Sequence, residues 1–230
     1  MSQDREADVF LILTDIGGYT DFLSFDKLDL SHAQFVITKL LEAVLDQLRP
    51  PLNVSKLEGD AIFIYAEDDG AEVGPSLNRF MESFLTKREE LHANNTCHCK
   101  ACRSINHLEL KILVHYGRVL FHKVHNFTEL AGVDVILVHR LLKNSVPGRR
   151  YILSTESAYS AISAHLPEGA QPHIENCEGV GPVPSFLLLL APHHATHKTP
   201  SLFSKLIALI YKDVWAILFR FGLIKGKAGK

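Results

Sequence analysis

The apolar run Val9-Phe10-Leu11-Ile12-Leu13-Thr14 has no polar alternation before Asp15-Ile16-Gly17-Gly18, so it predicts a strand buried on both faces that ends in a turn. A helix is predicted from caps at Asp29-Leu30-Ser31 to about Leu48, since Phe35, Ile37, Leu40, Leu41, Val44, Leu45 and Leu48 recur at helical spacing. Arg49-Pro50-Pro51 stops it. Residues 53–58 and 61–66 read as strands joined at Gly59-Asp60, a hairpin. Gly74-Pro75-Ser76 opens another helix, with Leu77, Phe80, Met81, Phe84 and Leu85 on one face. Residues 108–115 alternate as a strand, and Gly117 is expected to turn it onto a hairpin partner over residues 119–124. Residues 130–142 are helical by period, 150–153 form a short strand and 155–164 a short helix. Strands over 172–176 and 185–190 flank the turn Gly179-Val180-Gly181-Pro182. Hairpins interleaved with helices predict an α+β fold, helices packed on a largely antiparallel sheet.

Two stretches depart from this pattern. Residues 93–106 are a polar, cysteine-rich insertion, and 192–200 a histidine- and proline-containing linker after a domain spanning 1–191. Beyond it, 201–230 read as a C-terminal amphipathic helix and basic tail. Leu202, Phe203, Leu206, Ile207, Ile210, Val214 and Trp215 belong to an apolar face too wide to stay in water. Lys205, Lys212, Asp213 and Arg220 argue against a membrane-crossing helix. With Lys225, Lys227 and Lys230 trailing, residues 201–224 suit either a helix lying on an anionic membrane surface or docking against the core or a partner.

Composition narrows the partners. Across 230 residues the formal net charge is -2 with 22% charged residues, so no nucleic-acid partner is expected. The polar, acidic N-terminus is not a secretory signal, which leads to the expectation of a cytoplasmic protein, peripheral at the inner face of the membrane if the C-terminal helix binds there. Cys97, Cys99 and Cys102 offer three thiolates for a structural Zn2+, with His92, His98, His107 or Cys177 as a fourth ligand. Exposed reduced thiols are the alternative reading.

A buried strand that ends in a carboxylate and turns through two glycines brings a metal ligand and free backbone amides together, as a polyphosphate requires. Asp60 repeats the theme at a second strand edge, so Asp15 and Asp60 either hold divalent cations or serve as ordinary turn carboxylates. Four segments carry a more specific signal. They are Leu13-Thr14-Asp15-Ile16-Gly17-Gly18-Tyr19-Thr20, Lys56-Leu57-Glu58-Gly59-Asp60-Ala61, residues 132–140, and Glu178-Gly179-Val180-Gly181-Pro182-Val183. In their order and spacing they resemble the catalytic domain of class III nucleotidyl cyclases, over roughly residues 8–190.

That resemblance implies a ferredoxin-like sheet packed by helices and a head-to-tail homodimer, or a heterodimer with another cyclase domain, with nucleotide sites at the interface. It implies Asp15 and Asp60 as ligands of Mg2+ or Mn2+, and the segment Ile16, Gly17, Gly18, Tyr19 and Thr20 as the phosphate-binding turn. Lys56 matches the lysine that accepts adenine, so ATP is favoured, and Glu129 stands where an aspartate usually assists it. For Lys56 and Glu129 the alternative is a solvated charge. Arg140 matches the catalytic arginine that stabilises charge on the reacting phosphoryl group. Two positions depart from the pattern: Ile136 replaces an asparagine, and Glu178 replaces a lysine that pairs with the terminal phosphates. An anion about 4 Å from phosphate costs on the order of 4 kcal/mol at an effective dielectric near 20. The expected function is a divergent adenylate cyclase-like protein that binds ATP and divalent metal, with weak or non-standard formation of cyclic AMP. The alternative is a catalytically inactive nucleotide sensor or regulatory partner of another cyclase domain.

Overall fold

The computed structural model describes residues 4–24, 30–95 and 100–190; Cys97, Cys99, the linker and the C-terminal helix lie outside them. The elements are β1 (Arg5–Gly17), α1 (Tyr19–Ser24), α2 (Leu30–Leu45), β2 (Leu52–Glu58), β3 (Ala61–Ala66), α3 (Val73–Ala93) and α4 (Lys100–Arg103). They continue with β4 (Glu109–Val124), β5 (Phe127–Ala131), α5 (Val133–Arg140), β6 (Tyr151–Thr155), α6 (Glu156–Ile162), β7 (Gln171–Cys177) and β8 (Gly181–Leu189). The strands form one sheet in the order β2-β3-β1-β4-β6-β8-β7, with β5 paired to β4 beside this path. Every pairing is antiparallel except β4 with β6. The α+β expectation therefore holds.

The unbroken apolar run in β1 follows from burial on both faces of the sheet. Phe10, Ile12 and Ile16 join α2 and α3 in one core, while Val9, Leu11 and Leu13 join a second core with Leu137, Val138 and Leu141. The first core takes Ile37, Leu40 and Val44 from α2 and Leu77, Phe80 and Phe84 from α3, all essentially inaccessible to water. Burying each such side chain contributes roughly 1.5–3 kcal/mol. In the cysteine-rich insertion, α3 runs on to Ala93, and Cys102 is buried in the first core beside Ile105 and Leu108.

Two sequence expectations need correction. Gly117 does not turn the chain: β4 runs straight through it, and Gly117 pairs with Val9 of β1. The hairpin reverses after Val124 instead, where His125 takes φ +57°, and its second strand is β5. Glycine is needed at 117 for close approach, since a Cβ there would lie 2.5 Å from an Asp134 carboxylate oxygen and 2.7 Å from His115 Nε2. The helix expected from residue 130 likewise begins later. Leu130 and Ala131 pair with Phe121 and Leu120, and Gly132 at φ +141° makes the corner from strand to helix. Alternation and helical period both tolerate a Leu-Ala pair, so that boundary was ambiguous.

Substituting Gly117→Ala is expected to destabilise the fold by about 1–3 kcal/mol through overpacking against Asp134. The control Gly148→Ala, whose Cβ would meet only Leu189 at 4.0 Å, is expected to change stability by less than about 0.5 kcal/mol. Urea unfolding of both variants checks the contrast.

Candidate nucleotide and metal site

The register of β1 assembles the acidic corner. Asp15 pairs with Ala61 on one side, which brings Asp60 of the β2–β3 turn alongside it, and with Lys111 of β4 on the other. The Lys111 ammonium lies 2.6 Å from Asp15 Oδ2, with both side chains about four-fifths buried. Burial pushes the Asp60 carboxyl up to about 6, helped by the charge of Asp15 and a hydrogen bond to it, while Lys111 pulls the other way. Tyr19, half-buried at the start of α1, feels the same charge: its phenol is raised by burial and then by Asp60. Two crowded carboxylates whose charges oppose each other fit a divalent cation, which would relieve the repulsion. Among the described residues no group of three or more His, Cys, Asp and Glu side chains is arranged to hold a metal. Asp15 and Asp60 are the two carboxylates that the sheet brings together there, and a divalent cation at such a pair would draw its remaining ligands from substrate phosphate and water oxygens.

The glycine turn closes this corner. Ile16 belongs to β1, with its side chain buried in the first core, so it supports the turn from behind. Gly18 at φ +92° swings the chain into α1, where the Phe22 amide donates to the Gly18 carbonyl at 2.9 Å. Tyr19 and Thr20 form the first residues of that helix.

A second group forms around β2. Lys56 Nζ lies 3.4 Å from Glu129 of β5, although 73 positions separate them, and 3.7 Å from Glu58. Glu58 in turn lies 3.2 Å from His139 Nε2, whose ring packs edge-on against Phe63 and whose Nδ1 donates to the Val135 carbonyl at 2.8 Å. Glu58 and His139 thereby tie the strand carrying Lys56 to the last turn of α5, one residue from Arg140. The other end of α5 is fixed as well. His115 Nε2 lies 3.0 Å from Asp134 and its Nδ1 lies 2.9 Å from Thr155, while the Arg118 amide donates to Asp134 at 2.7 Å.

The two departures lie on the surface. Ile136 is 53% exposed on α5, so no packing demand within the chain calls for an apolar residue there. Glu178, nearly fully solvated, lies 3.4 Å from Arg140 across the β7–β8 turn. Full solvation screens its repulsion of a phosphate to about 1 kcal/mol at 4 Å, below the value expected from the sequence. Its proximity to Arg140 is a second consequence, because this exposed, weakly held pair sets an acid beside the guanidinium itself.

Lys111, Glu58, His139 and the His115–Asp134 pair were not found from the sequence. A lysine between Leu110 and Ile112 in a buried strand was the available signal for the first. The others depend on tertiary proximity. Cys102 is placed in the core, and the proposed zinc partners Cys97 and Cys99 lie outside the described residues.

The raised Asp60 carboxyl has a testable sign. Its folded value of about 6 exceeds the unfolded 3.8, so its stabilising contribution is complete below pH 3.8 and is lost as pH rises through 6. In metal-free buffer, Asp60→Asn is expected to stabilise the protein by about 1–2 kcal/mol at pH 7.5 and to have no effect at pH 3.5. Denaturant titrations at the two pH values check this.

Comparison with known proteins places this geometry in a wider fold group. The chain is similar to the adenylyl cyclase CyaB from P. aeruginosa, with a TM-score of 0.60 and 14% identity over 86% of this chain and 100% of that one. It is similar to the guanylyl cyclase Cya2, with a TM-score of 0.58 and 13% identity over 84% and 96% of the two chains. Adenylate cyclases from Trypanosoma brucei give 0.57 and 19% identity over 84% and 93%. At such identities the likeness is one of fold: the fold of this chain is similar to that of nucleotidyl cyclase catalytic domains. A sequence relative, the uncharacterized protein Rv2561/Rv2562 of Mycobacterium tuberculosis, is 34% identical over 199 residues, which are 84% of this chain and 92% of that protein. The family described as "Protein of unknown function (DUF2652)" matches residues 37–151, and the chain belongs to that family.

Proposed function

We propose that the protein binds ATP with divalent metal at a cyclase-type interface site and forms cyclic AMP at a low rate. The observation that carries this reading is the Asp15–Asp60 pair beside a glycine turn, two partly buried carboxylates of which Asp60 is raised to about 6 by burial and then by the charge of Asp15. Bound there, Mg2+ or Mn2+ would activate the ribose 3'-hydroxyl and neutralise the triphosphate. Gly17, Gly18 and the start of α1 would orient the phosphates. Lys56, held by Glu129 and Glu58, would donate to the adenine acceptor nitrogen from the opposite subunit. Arg140 would stabilise charge on the α-phosphate during in-line attack of the 3'-hydroxyl, with pyrophosphate leaving.

A head-to-tail dimer is part of the proposal, since one chain does not complete the site. Exposed apolar side chains support it: Leu57 on β2, Phe127 on β5, and Val133 and Ile136 on α5 are each more than half exposed. Helix α5 adjoins β5, and exposed apolar surface of this kind is what a partner subunit would cover.

The pairing of Arg140 with Glu178 and the exposed Ile136 favour a second reading, nucleotide sensing without turnover. Purified protein with Mn2+ and ATP is expected to yield cyclic AMP that disappears in Asp15→Ala and Asp60→Ala. Metal-dependent ATP binding with no product would leave the sensor. The double change Ile136→Asn with Glu178→Lys is expected to raise turnover at least about tenfold, because it restores a ribose hydrogen bond and releases Arg140. No gain would remove those two positions as the cause of low activity.

A further inference from the structure

The β7–β8 turn presents Glu178 where a cation would meet the terminal phosphates, and the described structure has another cation against the glycine turn. Arg149 lies in the loop entering β6. Its carbonyl oxygen and Cβ approach Gly17 so closely that a Cβ there would sit 3.0 Å from each. Its guanidinium covers Gly18, where a Cβ would lie 2.8 Å from Nη1. The two glycines therefore accommodate an arginine as well as a bend. Arg149 also lines a cavity of about 220 Å³ together with Gly18, Asp21, Ser104 and His107.

Arg149 is poised rather than committed. Asp21 of α1 accepts a hydrogen bond from its Nη2 at 2.8 Å, and both side chains are at least half exposed. An exposed pair of this kind is held weakly. A phosphate offers more charge and the bidentate geometry that a guanidinium fork prefers, so it competes well with one solvated carboxylate. The location matters too: this cation belongs to the subunit that carries Asp15 and Asp60, whereas Glu178 would come from the other.

We propose that Arg149, moving from Asp21, is the seat for the terminal phosphates of the nucleotide and makes the site selective for triphosphates over monophosphates. This inference rests on the proposed ATP site. It also gives Asp21 a role, as the internal acid that occupies Arg149 until substrate arrives.

Calorimetry with Mn2+ and either ATP or AMP tests it. Arg149→Gln is expected to weaken ATP about tenfold while changing AMP less than about twofold, since a charge-assisted hydrogen bond to phosphate is lost. Arg149→Lys is expected to recover part of the ATP affinity, and Asp21→Asn to tighten ATP by about twofold to threefold by removing the competitor. Thermal melts of the same variants monitor folding. Unchanged ATP affinity in Arg149→Gln, or equal losses for ATP and AMP, overturns the inference while the ATP site stands. Failure of the wild-type protein to bind ATP overturns the site reading and this inference together.

Discussion

The pairing of β1 with β4 is the constraint on which the rest depends. Every residue of β1 from Arg5 to Gly17 has a partner on β4, and β3 completes the other side. Because side chains alternate between faces, a slip of β1 by one residue would carry Asp15, with Leu11 and Leu13, onto the face beneath α2 and α3 and leave Lys111 on the other. A buried charge without a partner is far more costly than a lost apolar contact, so the same register that fills both cores also protects the ion pair. The acidic corner therefore inherits its precision from the sheet. Its loop has only to turn.

Helix α5 is positioned by a different means. It is short and only Leu137 and Val138 are buried on it, so packing alone would leave its orientation loosely defined. Polar fasteners at both ends supply what packing does not: His115 with Asp134 at the first turn, and Glu58 with His139 at the last. These pairs bring the helix to β4 and to β2, the strand that carries Lys56. Lys56, proposed to select the base, and Arg140 are thus mechanically joined within one chain, although in the proposed dimer both would face a nucleotide whose metal ligands belong to the other.

Much of this was legible in the sequence, for reasons that can be named. The two-sided burial of β1, the Gly59-Asp60 hairpin and the long apolar face of α3 each have an unambiguous period. Asp15, Asp60 and the glycine turn were legible because strand ends and left-handed glycines leave local marks. Lys56 and Glu129 were legible through the resemblance, and the fold brings them together. Gly117 misled because a glycine admitted for close approach looks, in one dimension, like a glycine admitted for a turn. Arg149 and His139 were invisible because their meaning lies in neighbours far along the chain: Gly18, Asp21 and Glu58.

The surface location of Ile136 and Glu178 has a consequence for how such a chain changes over time. Neither side chain is needed by the cores, and neither position demands a special backbone. Substitutions there would leave folding nearly untouched while altering what would meet a nucleotide in the proposed site. The framework therefore sets no threshold against losing the proposed turnover and none against gaining it. Descendants of one scaffold could pass between the two proposed roles, enzyme and receptor, at little cost in stability, with selection acting on output alone.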